Sequence, residues 1–276
     1  MEGYILAELI YPPKFLHLLK KLGDEFFSQG IYYYKLLEYT IVVHELRGKD
    51  KKILDIGSGK SFLPFFYLDR GWETWVVDNG DFYPDFERFY LRLVEDKFSK
   101  GLSKFEVLND DFLKADLPLN YFDFITGIST LEHFPGTKDM RTAQKISSLL
   151  KKGGKCIITL PFSQSGTKER TVVKDGFSFF QRDYELKCVF NRIVKPSGLH
   201  LRYFYVLGER NPRWGSKFFL CKPLSRFKNV WSLFPFIFWK VYYKGKSEHL
   251  PLFRYPGIIV VVLEKKDESF CNSSCL

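Results

Sequence analysis

The sequence predicts a doubly wound α/β protein, with a mostly parallel seven-stranded sheet, an N-terminal helical cap and an insertion before the last strand. Three observations carry this. From residue 52 onward, short apolar runs alternate with amphipathic stretches. The first of these runs closes in Asp55-Ile-Gly57-Ser-Gly59. The second closes in an acid, Asp78, 19 residues after Gly59.

Residues 14–47 have a helical pattern, with Ile31, Tyr34, Leu37, Ile41 and Leu46 at three-to-four spacing and Gly48 as a stop. Strands are predicted at Lys52–Ile56, Thr74–Asp78, Phe105–Leu108, Phe122–Ile128, Lys155–Leu160, Leu199–Leu207 and Gly257–Leu263. Helices are predicted at Ser61–Arg70, Asp85–Lys100 and Asp139–Leu150. The division is therefore a cap over 1–47, a core over 48–207 and 257–266, an insertion or lid over 208–256, and a disordered tail over 267–276.

Composition narrows the class. Hydrophobic residues make up 45% and charged residues 27% of the 276, an ordinary globular balance, while aromatics at 18% are heavy enough to line a pocket as well as a core. The formal charge of +10 is concentrated between Arg210 and Tyr255, which holds ten Lys/Arg against one acid, Glu248. A basic surface there suits an anionic partner or a solvated face. The five cysteines form no Cys-x-x-Cys pair, which predicts a reduced, cytoplasmic protein without a structural metal. No apolar run approaches the ~20 residues that span a bilayer.

Gly57-Ser-Gly-Lys-Ser61 resembles the end of a phosphate loop, but the opening glycine of such a loop falls on Leu54. The dinucleotide fingerprint fails as well, because its third glycine falls on Phe62. What remains is a strand, an acid and a glycine pair that lets backbone approach a ligand without phosphates. Asp78 stands where an acid accepts hydrogen bonds from both ribose hydroxyls. Asn109-Asp-Asp-Phe112 after the third strand offers a carboxylate to an adenine amino group and an aromatic face to its ring.

Together these segments resemble the successive motifs of class I S-adenosylmethionine-dependent methyltransferases, which have a Rossmann-like sheet. The resemblance rests on Ile53–Gly59, Val77-Asp78, Asn109–Phe112, Phe122–Ile125, Ser129-Thr-Leu-Glu-His-Phe134 and Leu149–Lys155, and spans roughly residues 50–207. It departs at Ser61, where many members carry a third glycine, and at Lys60, a cation that must point away from a sulfonium ligand. It implies S-adenosylmethionine as cofactor. Asp55, Gly57 and Gly59 would surround its methionine part, Asp78 its ribose, and Asp111 with Phe112 its adenine, with Ser58 and Asn79 also binding the cofactor. Ser129, Thr130 and the helix at Tyr32–Tyr34 would close over the methyl donor.

Methyl transfer from a sulfonium is an in-line displacement, so alignment and exclusion of water dominate. A hydroxyl acceptor also needs a base, for which His133 is the candidate, its alternative being a brace for the loop. Some relatives hold a divalent metal with Glu-x-x-Glu-His, but Ser129 occupies the first Glu position, which predicts no metal and a structural Glu132. The expected reaction is O-methylation of a small molecule or of a lipid-linked or surface glycan. The rivals are a non-catalytic module of the same fold, docking on membrane or a partner, and an RNA methyltransferase, with nucleic acid ranked behind small molecules. Residues 226–244 place Phe227, Val230, Trp231, Phe234, Phe238, Val241 and Tyr242 at helical spacing between basic ends. That pattern suits a peripheral membrane helix, a lid or a core helix equally.

Overall fold

The computed structural model describes residues 11–23, 33–98, 104–174, 176–210, 239–246 and 249–266. The expected disordered tail, position 32 and residues 226–238 lie outside this set.

The cap consists of two helices, α1 (Tyr11–Leu22) and α2 (Tyr33–Glu45). Pro12 and Pro13 fall in the first turn of α1, where a missing N–H costs no intrahelical bond. Gly23 then takes φ +109° and donates back to the Leu19 carbonyl, closing the helix. The core continues as β1 (Lys52–Ile56), α3 (Leu63–Asp69), β2 (Glu73–Asp78), α4 (Phe86–Lys97), β3 (Phe105–Asn109) and β4 (Phe122–Ile128). A 3₁₀ turn at Leu131–His133 leads into α5 (Lys138–Leu149), β5 (Leu150–Pro161), β6 (Lys168–Lys174) and β7 (Phe177–Asp183). Next comes α6 over 186–197, in which a π-helical segment Phe190–Val194 separates two short α turns. The last strands are β8 (His200–Glu209), β9 (Trp239–Gly245) and β10 (Pro256–Glu264).

Eight strands form one sheet in the order β3-β2-β1-β4-β5-β10-β8-β9. Strands β1 to β5 run parallel, and β10 lies antiparallel between β5 and β8. Alternation of side chains divides the core in two. Ile53, Val76, Phe124, Ile157, Val260 and Val262 face the cap helices with α3 and α4. Leu54, Val77, Ile125, Ile158, Ile259 and Val261 face α5 and α6. Because both faces are covered, the central strands are continuous apolar runs, which is why they stand out in the sequence.

Two expectations are corrected. The sheet has eight strands rather than seven, because β9 pairs antiparallel with the outer edge of β8. For the same reason the helix expected over 226–244 does not extend through 239–245. Trp-Lys-Val-Tyr-Tyr satisfies helical spacing only because nearly every position is apolar. Its β-branched and aromatic residues suit a strand, and the open edge of β8 supplies the hydrogen bonds. Lys168–Lys174 and Phe177–Asp183 pair as a separate two-stranded ribbon, β6–β7, that no sequence signal had marked. Among the described residues, no helix is long and apolar enough to cross a membrane.

Candidate active site

The carboxyl ends of β1, β2, β3 and β4 open into one cavity of about 570 Å³. That volume lies within the ~300–1,000 Å³ of ordinary ligand pockets. All eleven residues singled out in the sequence line it: Asp55, Gly57, Ser58, Gly59, Asp78, Asn79, Asp111, Phe112, Ser129, Thr130 and His133. The adjacent parallel strands bring them together, although they are spread over some eighty residues of chain.

The glycine turn is built tightly. Gly57 takes φ +63°, and its N–H donates to the Val77 carbonyl at 2.8 Å. Gly59 N–H donates to Asp78 Oδ2 and Gly80 N–H to Asp78 Oδ1, both at 2.9 Å. Each Asp78 oxygen keeps a further lone pair, so a diol can still be bound. Asp55 is buried and accepts from Thr126 Oγ1. Burial pushes its carboxyl up to about 6, against the lowering by the Thr126 and Ser58 hydrogen bonds, so it is ionised at pH 7 and above. Lys60 also lines the cavity, and its ammonium is paired with the Asp85 carboxylate at 2.8 Å. A donor with a diol and a cationic centre therefore fits these residues.

Not every lining residue presents its side chain to that space. Ser58 Oγ donates to the Asp55 carbonyl, and Thr130 Oγ1 lies 3.0 Å from the Ile56 carbonyl, so both brace the turn. Asn79 bonds Asp81. Asp111 Oδ1 accepts from Leu113 N–H at 2.9 Å, and Oδ2 lies 3.5 Å from Lys138 Nζ. Burial alone would raise the Asp111 carboxyl, but Leu113 N–H and Lys138 outweigh it and hold it below the usual range. Phe112 is 4% exposed and packs mainly into the core.

The cap contributes residues that the sequence had not singled out. Lys35 and Tyr39 of α2 line the cavity. Lys35 Nζ lies 2.8 Å from Glu38 Oε2 and also bonds Ser129 Oγ. Glu38 is fully buried and accepts from Thr159 Oγ1. Burial would lower the Lys35 ammonium, yet the Glu38 carboxylate overcomes this and raises it. Ser129 itself takes φ +50°, a left-handed conformation unusual outside glycine, and this backbone aims its hydroxyl at the Lys35–Glu38 pair.

His133 lies at the other side of the mouth. Its Nδ1 is 3.0 Å from the Phe180 carbonyl, so Nδ1 carries the proton and Nε2 the lone pair of the neutral ring. Burial lowers its pKa below the ordinary histidine value, the Phe180 carbonyl only partly opposing this. Its neighbour Glu132 is buried, and Oε2 has no hydrogen-bond partner. Burial raises the Glu132 carboxyl to about 8. Proton uptake by the folded state then favours folding below pH ~4.5, and this contribution is lost as pH rises through 8. Glu132→Gln should therefore match wild type near pH 4.5 and exceed it in thermal stability at pH 8. An equal difference in melting temperature between the two proteins at both pH values would show that Glu132 holds no buried proton.

A family model described as a methyltransferase domain matches residues 30–199, more than half of the chain. No curated protein matches it in sequence. Among solved structures, an S-adenosylmethionine-dependent methyltransferase from Methanosarcina mazei aligns at 16% identity and TM-score 0.52, over 82% of this chain and 97% of its own. The glycopeptide N-methyltransferase MtfA, in complex with S-adenosyl-L-homocysteine, aligns at 11% identity and TM-score 0.54, over 83% and 88%. The Burkholderia thailandensis 1,6-didemethyltoxoflavin-N1-methyltransferase aligns at 14% identity and TM-score 0.53, over 93% and 91%. At these identities the likeness is one of fold.

Proposed function

The chain belongs to the class I S-adenosylmethionine-dependent methyltransferase family, and from that premise we propose that it methylates an oxygen of a small molecule or of a lipid-linked or surface glycan. When bound, S-adenosylmethionine supplies a methyl group already activated on sulfur. Asp78 would hold the ribose hydroxyls, while the ionised Asp55 and the turn at Gly57–Gly59 would meet the cationic methionine end. The walls from α2 and the 131–135 segment exclude water, so that donor and acceptor meet in line.

The observation that carries the oxygen reading is the tautomer of His133, fixed by the Phe180 carbonyl so that Nε2 is basic. Nε2 would take the proton of an acceptor hydroxyl as that oxygen receives the methyl group. Because the His133 pKa is lowered, the base form is already present at neutral pH. General-base catalysis contributes about 10²–10⁴-fold, so His133→Ala should lower kcat by that order with little change in donor affinity. In wild type the rate should fall only below pH ~6.5, the ordinary histidine value. The variant should lack this limb.

The measurement is transfer of labelled methyl from S-adenosylmethionine to a panel of hydroxylated and aminated acceptors, glycans included, across pH. MtfA and the didemethyltoxoflavin enzyme are named N-methyltransferases. Transfer to nitrogen alone, with a pH profile unchanged in His133→Ala, would overturn the oxygen reading. No transfer to any acceptor, despite donor binding, would favour the non-catalytic module.

A further inference from the structure

One wall of the pocket mouth is built from rings that the transfer chemistry itself does not use. Phe82, from the loop after β2, meets His133 at 5.4 Å, Phe177 at 5.1 Å and Phe179 at 5.2 Å between centroids, all at inclined angles. Phe179 also meets the His133 ring edge-on at 5.1 Å. Phe82 lines the cavity, whereas Phe177 and Phe179 extend the ring cluster beyond its lining. Both Phe82 and Phe177 are 42% exposed. Clustered aromatics left in water carry a hydration penalty, which a ligand covering them removes.

The ribbon that carries Phe177 and Phe179 is fastened beside His133 with unusual rigidity. Arg182 of β7 is 1% exposed and bonds Asp139 of α5 at 2.8 Å, Glu169 at 2.7 Å and the Phe134 carbonyl at 3.2 Å. Tyr184 bonds the same Asp139 at 2.9 Å, and Phe180 holds the His133 ring. Burying such a charge pair is expensive, and here it fixes the register between aromatic wall and basic nitrogen. The polar side chains nearby are engaged with one another: Asn79 with Asp81, Gln181 with Asp183, and Asp183 with Arg170. This wall therefore offers ring faces rather than the several donors and acceptors that a sugar would require.

We propose that Phe82, Phe177 and Phe179 form the acceptor subsite, and that it takes a planar aryl or heteroaryl alcohol whose hydroxyl is delivered to His133. The proposal rests on the methyl-transfer reading of the same pocket and narrows its acceptor to one class. Flat rings gain from offset and edge-to-face contact with phenyl groups beyond the area they cover. The subsite adjoins the cavity through Phe82, which belongs to both, and through His133, whose ring Phe82 and Phe179 meet.

The test is calorimetric titration of 2-naphthol, with methyl β-glucopyranoside alongside, into wild type, Phe177→Ala and Phe177→Leu saturated with S-adenosylhomocysteine. Expected is 2-naphthol binding that weakens about tenfold in Phe177→Ala, with a smaller loss in Phe177→Leu, which keeps apolar area but no ring. Affinity for S-adenosylhomocysteine should be the same in all three proteins. The glucoside should not bind. Absence of 2-naphthol binding to the loaded wild type, equal affinity in Phe177→Ala, or glucoside binding that Phe177→Ala abolishes would each overturn the subsite. Failure of S-adenosylhomocysteine to bind folded wild type would instead remove the methyl-transfer reading, and the subsite with it.

Discussion

Gly57→Ala should destabilise the protein by about 2–5 kcal/mol and abolish binding of S-adenosylmethionine. The left-handed φ of +63° costs an L residue about 1–2 kcal/mol. In addition, the new Cβ would stand 2.1 Å from Thr130 Cγ2 and 2.6 Å from Thr130 Oγ1. Such overpacking costs about 1–3 kcal/mol. Thr130 has little freedom to yield, because its hydroxyl braces the Ile56 carbonyl. Gly71 is the control. It has φ +77° but open space at its Cβ, so Gly71→Ala should show the strain alone. Thr130→Ser deletes the clashing methyl and keeps the hydroxyl, so it should recover part of the loss in Gly57→Ala. Urea unfolding of the four variants measures this; equal losses for Gly57→Ala and Gly71→Ala would show that crowding plays no part.

Asp139→Ala should cost about 3–5 kcal/mol, the usual result of removing one partner from a buried charge network. Asp139 is fully buried and serves Arg182, Arg192 and Tyr184 together. Without it, Arg182 remains in the interior with Glu169, which stands half in water, as its one charged partner among the described residues. Asp139→Asn keeps one acceptor oxygen while its amide nitrogen faces donors, so it should recover only part of the loss. Since the network is shielded from solvent, the loss in Asp139→Ala relative to wild type should persist at high salt, unlike that of a surface pair. Loss of only surface-pair magnitude, within about 1 kcal/mol, would mean that the ribbon is held by other contacts. The same variant should loosen Phe180 from His133, so methyl transfer should fall even under conditions where the protein is folded.

Much of this molecule can be read from its residues, for a physical reason. Strands covered on both faces must be apolar throughout, so β1, β2, β4, β5, β8 and β10 stand out against their surroundings. Asp55 and Asp78 lie at the carboxyl ends of β1 and β2 and Asp111 just after β3, and parallel neighbours bring those ends together whatever the distance along the chain. What stays hidden depends on contacts between distant segments. The Lys35–Glu38 pair reads as an ordinary helical i,i+3 pair, and nothing local says that it is buried against Ser129 and Thr159. Strand β6, Lys-Glu-Arg-Thr-Val-Val-Lys, is too polar to resemble a strand until Arg170 and Arg182 find Asp183, Glu169 and Asp139. Ser58 and Thr130 stand where ligand-facing residues are expected, yet their hydroxyls turn to backbone carbonyls, a choice fixed only by the assembled turn.

The place of β10 in the sheet also bears on biosynthesis. This strand lies between β5 and β8, yet it follows both in the chain. While residues up to about 255 are emerging from the ribosome, Ile157, Ile158, Phe204 and Val206 lie along strand edges whose common partner has not been made. Unpaired apolar edges are the places where nascent chains associate wrongly. Release of the Gly257-Ile-Ile-Val-Val-Val-Leu263 segment is then the event that closes the sheet, and translation pausing before it would prolong the time in which a chaperone is needed.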